Sequence, residues 1–190
     1  MIDIDKSIDS KQINILEEGI GKKLNRVEYA DVMTDDTSWN TIRFHFVGLS
    51  IDINCFLEPL PEDEVSNYEE YGIIGIHKVP TNEKLEVKGF SSETSIKSIL
   101  KTVRGIQVIN STIKVFDNSK LCSSKTITKA IVFDFGDEML AIDRQIFYEE
   151  VLTFKFGTNL NDLIYDDSES WESDEEDDIT FEYSLERIEL

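Results

Sequence analysis

Cysteine is scarce. Cys55 and Cys122 are the only two in 190 residues, and neither belongs to a CxxC. That excludes the disulfide frameworks that staple small secreted domains. Histidine is as rare, with His45 and His77 alone, and no close Cys/His pair offers the ligand spacing of a structural zinc site. No run of about 18 apolar residues occurs, so no segment reads as a membrane span. The opening MIDIDKSID has neither a basic n-region nor an apolar h-region, so it does not read as a signal peptide, and the cytoplasm is the expected compartment. The largest deficit is positive charge: 19 Lys+Arg stand against 39 Asp+Glu, for a net −20. A chain this acidic repels phosphates and anionic bilayers, so neither nucleic acid nor membrane is an expected partner. A net charge of roughly 2–8 suffices for solubility, so the excess points to a basic partner.

What is present supports a packed core, since 40% of residues are hydrophobic and 10% aromatic and 190 residues suit one domain. The expected fold class is α+β, mainly antiparallel β-sheet with about two helices. Ile13, Leu16 and Ile20 place one helix at 10–23 with Ser10 as N-cap. Ile96, Ile99, Leu100 and Val103, at i, i+3, i+4 and i+7, place a second at 92–104, capped by Ser92 and ended by Gly105. Strands are expected over 26–33, 41–57 (a hairpin turning at Gly48), 71–79 with 84–90 (a second hairpin through PTNE), 106–116, 126–135, 139–147, 151–156 and 179–190. Ile-x-Phe-x-Phe followed by a Gly turn occurs twice, at 42–53 and 131–143. This echo allows a two-lobed pseudo-repeat, 26–90 and 106–156, within a single domain 1–190.

Motifs that would carry catalysis fail on inspection. Asp134-Phe135-Gly136 spells a kinase tripeptide without the glycine-rich loop, β3 lysine or catalytic loop that a kinase needs. Gly19-Ile20-Gly21-Lys22 lacks the upstream Gly and the following Ser/Thr of a phosphate loop. His45 and His77, the only bases for a nucleophilic triad, fall in strand patterns on the face opposite the apolar residues, where a solvated or sheet-paired role is expected. The acidic run 166–178 has no Gly and no calcium-loop spacing. No cofactor and no metal site is expected, and the chain is expected to act by binding rather than catalysis.

Two acidic clusters remain, each mixing carboxylates with aromatics. The first is Glu62, Asp63, Glu64, Tyr68, Glu69, Glu70 and Tyr71. The second is the 166–178 loop: Asp166, Asp167, Glu169, Trp171, Glu172, Asp174, Glu175, Glu176, Asp177 and Asp178. Carboxylates pair with Lys and Arg while aromatics supply anchoring area, so these residues are the candidate partner-binding surface.

In size, charge, cysteine poverty and β-rich texture the chain resembles the immunity proteins of bacterial polymorphic-toxin and contact-dependent inhibition systems. The resemblance rests on general character over the whole chain and carries no motif or residue with it. It implies an inhibitor that occludes the active or substrate-binding surface of a cognate basic toxin, such as a nuclease domain. The alternatives are a DNA-mimicking anti-restriction inhibitor and a small hydrolase.

Overall fold

The computed structural model describes residues 1–30, 37–59, 70–87, 94–144, 150–166, 168 and 178–190. Its elements run β1 (Ile2–Lys6), α1 (Ser10–Glu17), β2 (Lys23–Tyr29), β3 (Thr37–Trp39), β4 (Thr41–Phe46), β5 (Leu49–Pro59), β6 (Glu70–Val79), β7 (Ser95–Thr102), β8 (Gly105–Asp117), β9 (Lys120–Asp134), β10 (Met139–Arg144), β11 (Val151–Gly157), α2 (Leu160–Leu163) and β12 (Ile179–Glu189). A five-stranded sheet has the order β6-β5-β4-β2-β7. A seven-stranded sheet has the order β12-β8-β9-β10-β11-β3, with β1 added parallel to β9. Every other pairing is antiparallel, so the molecule is mainly antiparallel β with two short helices.

The sheets face each other across one apolar layer. Val27, Ile42, Phe44, Ile51 and Ile53 from the first meet Val108, Ile131, Phe133, Ile142 and Phe154 from the second. Phe44 stacks on Phe133 at 4.7 Å between centroids, and Tyr29 meets Phe154 edge-on at 4.6 Å. These are the inward phases of the alternating runs, as the pleat requires. The two Ile-x-Phe-x-Phe hairpins lie one in each sheet, and their phenylalanines form the centre of the contact. A second core, with Ile4, Tyr71, Ile73, Ile113 and Ile127, closes the end where β1 and β12 lie.

Helix α1 is shorter than its apolar spacing suggested. Asp9, not Ser10, caps it, accepting from the Lys11 and Gln12 amides while Gln12 returns a bond to the Asp9 amide. It stops at Glu17, before Gly19, and Gly21 takes φ +78° in the turn that follows.

The helix expected over 92–104 is a strand in its described part, β7. Ser95, Lys97, Ile99 and Lys101 are half-buried, whereas Ile96 and Leu100 are 58% and 61% exposed. Pairing with β2 shifts register between Leu24 and Arg26, so Ile99 and Leu100 together oppose one residue and form a bulge with Leu100 at φ 60°. The apparent helical stripe joined residues that belong to opposite faces. Its β-branched content suits the edge position that β2 leaves open.

The second hairpin also differs. Residues 84–87 form no strand. Val79 ends β6 at one edge of the five-stranded sheet and Ser95 opens β7 at the other. Between them residues 80–87, the described part of this crossing, lie on the outer face, where Leu85 is buried and the Glu83 carbonyl accepts from Arg43.

Candidate functional site

Most of the expected partner-binding residues fall outside the described residues: Glu62, Asp63, Glu64, Tyr68, Glu69, Asp167, Glu169, Trp171, Glu172, Asp174, Glu175, Glu176 and Asp177. Glu70 opens β6. Tyr71 requires a correction. It is 2% exposed within the second core, and its hydroxyl accepts from the buried Lys125 ammonium at 2.8 Å. It is the first inward residue of the strand YGIIGI rather than the last of an acidic loop, so it cannot serve as a surface anchor. Asp166 and Asp178 are exposed, as expected. Hydrogen bonds from Ser168 hold the Asp166 carboxyl below its ordinary range. The Asp178 carbonyl accepts from the Asn118 amide, tying the end of the run to the β8–β9 turn.

The outer face of the five-stranded sheet carries a charged row. Register aligns Glu28 with Arg43, Arg43 with Asp52, and Asp52 with His77. Arg43 grips Asp52 with two bonds of 2.6 and 2.8 Å. That hydrogen-bonded carboxylate pushes the guanidinium above its usual value. In the next row His45 places Nε2 3.1 Å from Glu28 and Nδ1 3.3 Å from the Ser50 hydroxyl. Ser50, His45 and Glu28 therefore form a triad-like chain that one sequence could not have shown. A serine nucleophile must meet an incoming carbonyl carbon, and Ser50 is only 1% exposed. Thr94 donates to the other Glu28 carboxylate oxygen, so in this structure the chain satisfies polar groups on the outer face of the sheet. His45 is buried and hydrogen-bonded within the sheet, and His77 is exposed.

A cleft of about 570 Å³ opens where the chain passes from one sheet to the other. Asn40, at φ 42°, makes the corner between β3 and β4. Its amide donates to the Glu150 carbonyl and its carbonyl accepts from the Cys55 amide. The walls are Trp39 and Phe56, and the rim carries Glu86, Glu150 and His77. Phe56 can lie on the sheet because Gly75 is its neighbour: a Cβ there would sit 3.1 Å from the Phe56 ring and 3.3 Å from His77. Asn54, among the lining residues, donates to Thr41, while its Oδ1 is buried with no hydrogen-bond partner. Among the described residues neither rim carboxylate has an ion-pair partner.

Sequence reasoning missed this site. The available signal was Phe56 itself, an aromatic in the polar phase of β5, beside Asp52 and Asn54 rather than Ile51, Ile53 and Cys55. Glu86 and Glu150 gave none, since both come from segments distant in sequence. Cys55 also lines the cleft, but burial pushes its thiol up to about 12, so it is neutral and poorly nucleophilic. No group of three or more His, Cys, Asp or Glu capable of holding a metal occurs among the described residues. No described helix is long and apolar enough to cross a membrane. Comparison with family models, curated proteins and solved structures returns no match.

Proposed function

We propose that this chain is a binding protein that neutralises a basic protein partner, as immunity proteins neutralise toxin domains. One observation carries the reading. Among the described residues the interior takes up four cations, Arg43, Lys125, Lys129 and Arg144, but only two carboxylates, Asp52 and Asp143. Among these residues folding therefore removes more positive than negative charge from the surface, in a chain already at −20. A solubilised enzyme has no need of that excess, whereas a partner rich in Lys and Arg is steered by it.

The test is co-expression with the product of the adjacent upstream gene in cells sensitive to it. Restored growth and a stoichiometric complex support the reading, and unchanged toxicity overturns it. Within that complex, exposed charges are screened beyond about 10 Å at 0.1 M salt. Neutralising Asp174, Glu175, Glu176, Asp177 and Asp178 together should therefore slow association at low salt and matter little at high salt. Association at the wild-type rate in low salt would place the interface elsewhere.

A further inference from the structure

We propose that the cleft at the β3–β4 corner is a guanidinium pocket that seats an arginine side chain of the protein partner. This rests on the reading above and names the contact within it. The chemistry of the cleft is one-sided. Glu86 and Glu150 present carboxylates at its rim, and neither has an ion-pair partner among the described residues. Asn54 is also among the lining residues, but its Oδ1 is sealed from solvent and takes no part in binding. Trp39 and Phe56 supply aromatic surface, with Phe56 40% exposed. An occupant must bring donors for two carboxylates, positive charge and a flat face that stacks on a ring.

Guanidinium has all three: five N–H donors in one plane, a permanent charge and weak hydration that favours stacking. An ammonium brings the charge without the plane. A neutral polyol or amide would leave both carboxylates uncompensated. No group of three or more His, Cys, Asp or Glu that could hold a metal occurs among the described residues. The location also fits a side chain arriving from outside. Trp39 on β3 and Phe56 on β5 belong to different sheets, and the Asn40–Glu150 and Cys55–Asn40 main-chain bonds, of 2.8 and 2.7 Å, tie the junction between them, so these two walls are held in place.

Three small probes test this on the isolated full chain: acetyl-arginine amide, acetyl-lysine amide, and the neutral isostere acetyl-citrulline amide. In a Trp171→Phe background Trp39 is the sole tryptophan, so its emission reports occupancy. The expected result is saturable binding in the order arginine, lysine, citrulline, with citrulline roughly tenfold or more weaker, the ratio that losing one charged hydrogen bond produces. Glu86→Gln with Glu150→Gln should weaken arginine amide by roughly tenfold or more, and Phe56→Ala should weaken it without altering the net charge. A thermal melt of each variant confirms that it is folded. No saturable Trp39 response, or equal binding of arginine and citrulline amides, overturns the proposal. The partner separates the two levels. If the partner is inhibited equally by wild type and by the double Gln variant, the pocket is not the contact and the neutralising function stands. If arginine amide binds but no basic partner is neutralised, the pocket stands and the function falls.

Discussion

The β4–β5 and β9–β10 hairpins share an inner face and differ in the outer one. Inward, Ile42, Phe44 and Phe46 meet Ile131, Phe133 and Phe135 in a single core. Outward, each hairpin buries an ion pair beneath a segment from elsewhere in the chain. On β4–β5 the pair is Arg43 and Asp52, joined by a two-bond fork, and the guanidinium also donates to the Glu83 carbonyl of the crossing segment. On β9–β10 it is Lys129 and Asp143 at 3.4 Å, and Asp143 also accepts from the Tyr165 amide of the segment that follows α2. Lys129 reaches this position because a bulge shifts the register between Ile109 and Asn110. Around it the face is apolar, with Ala130, Val132 and Ala141 under Leu163. In both hairpins a main-chain group of the cover completes the ion pair. Alternation specifies which face turns inward. What covers the other face is decided by a distant segment able to satisfy the buried charge.

Breaking each pair in turn sharpens the comparison, because the cost of a truncation is set by what it leaves behind. Lys129→Met should have the larger effect. Asp143 is 2% exposed in its side chain, so its charge would remain sealed from water, at about 3–5 kcal/mol in urea unfolding. Arg43→Met should cost less, about 1–3 kcal/mol, even though its hydrogen bonds are better, because the Asp52 side chain keeps 11% exposure and can recruit water. Its distinctive sign should be dynamic: amide exchange at 83–87 should accelerate in Arg43→Met and stay unchanged in Lys129→Met. A larger loss for Arg43→Met would mean that the fork, not the stranded carboxylate, governs stability.

The hairpins also meet at their far ends, where Cys55 lies near enough to Arg144 to feel its charge. Burial outweighs that charge and lifts the thiol from an ordinary 9.0 to about 12. The raised value means the folded state keeps a proton that the unfolded chain releases. The associated stability is complete below pH 9 and declines as pH rises from about 9 to 12, by up to about 1.4 kcal/mol per pH unit. Unfolding free energies at pH 8 and 10.5 should therefore diverge more for wild type than for Cys55→Ala. Equal pH dependence in the two would mean that the thiol ionises in the native state.

The inner faces were legible in the sequence because period-2 alternation is local: Ile42 to Phe46, Ile51 to Cys55 and Ile131 to Phe135 declare their phase without knowledge of the partner. The covers and the cleft were not legible, since Glu83, Leu85, Glu86 and Glu150 acquire meaning only once the crossing and the sheet corner are formed. Tyr71 misled for a related reason. It adjoins the acidic loop and also opens the expected strand 71–79, and its phase could not be read because YGIIGI at 71–76 shows no polar alternation.

The smallest expected effect separates two readings of one segment most cleanly. Were 92–104 a helix with Ile96, Ile99, Leu100 and Val103 on its buried stripe, Leu100→Ala would cost about 2–5 kcal/mol, and Leu100→Gly about 1 kcal/mol more than that. In β7 the side chain is 61% exposed and the residue sits at φ 60° in a bulge. Removing an exposed side chain there should change stability by less than about 0.5 kcal/mol. The left-handed backbone also reverses the order of the two variants: a Cβ is strained in that region by roughly 1–2 kcal/mol and glycine is not. Leu100→Gly should therefore be at least as stable as Leu100→Ala. The sign of the Ala-to-Gly difference is independent of how much apolar surface Leu100 covers, so it reports the backbone alone. A Gly variant less stable than the Ala variant would mean that Leu100 is not in the left-handed conformation, and would remove the bulge from β7.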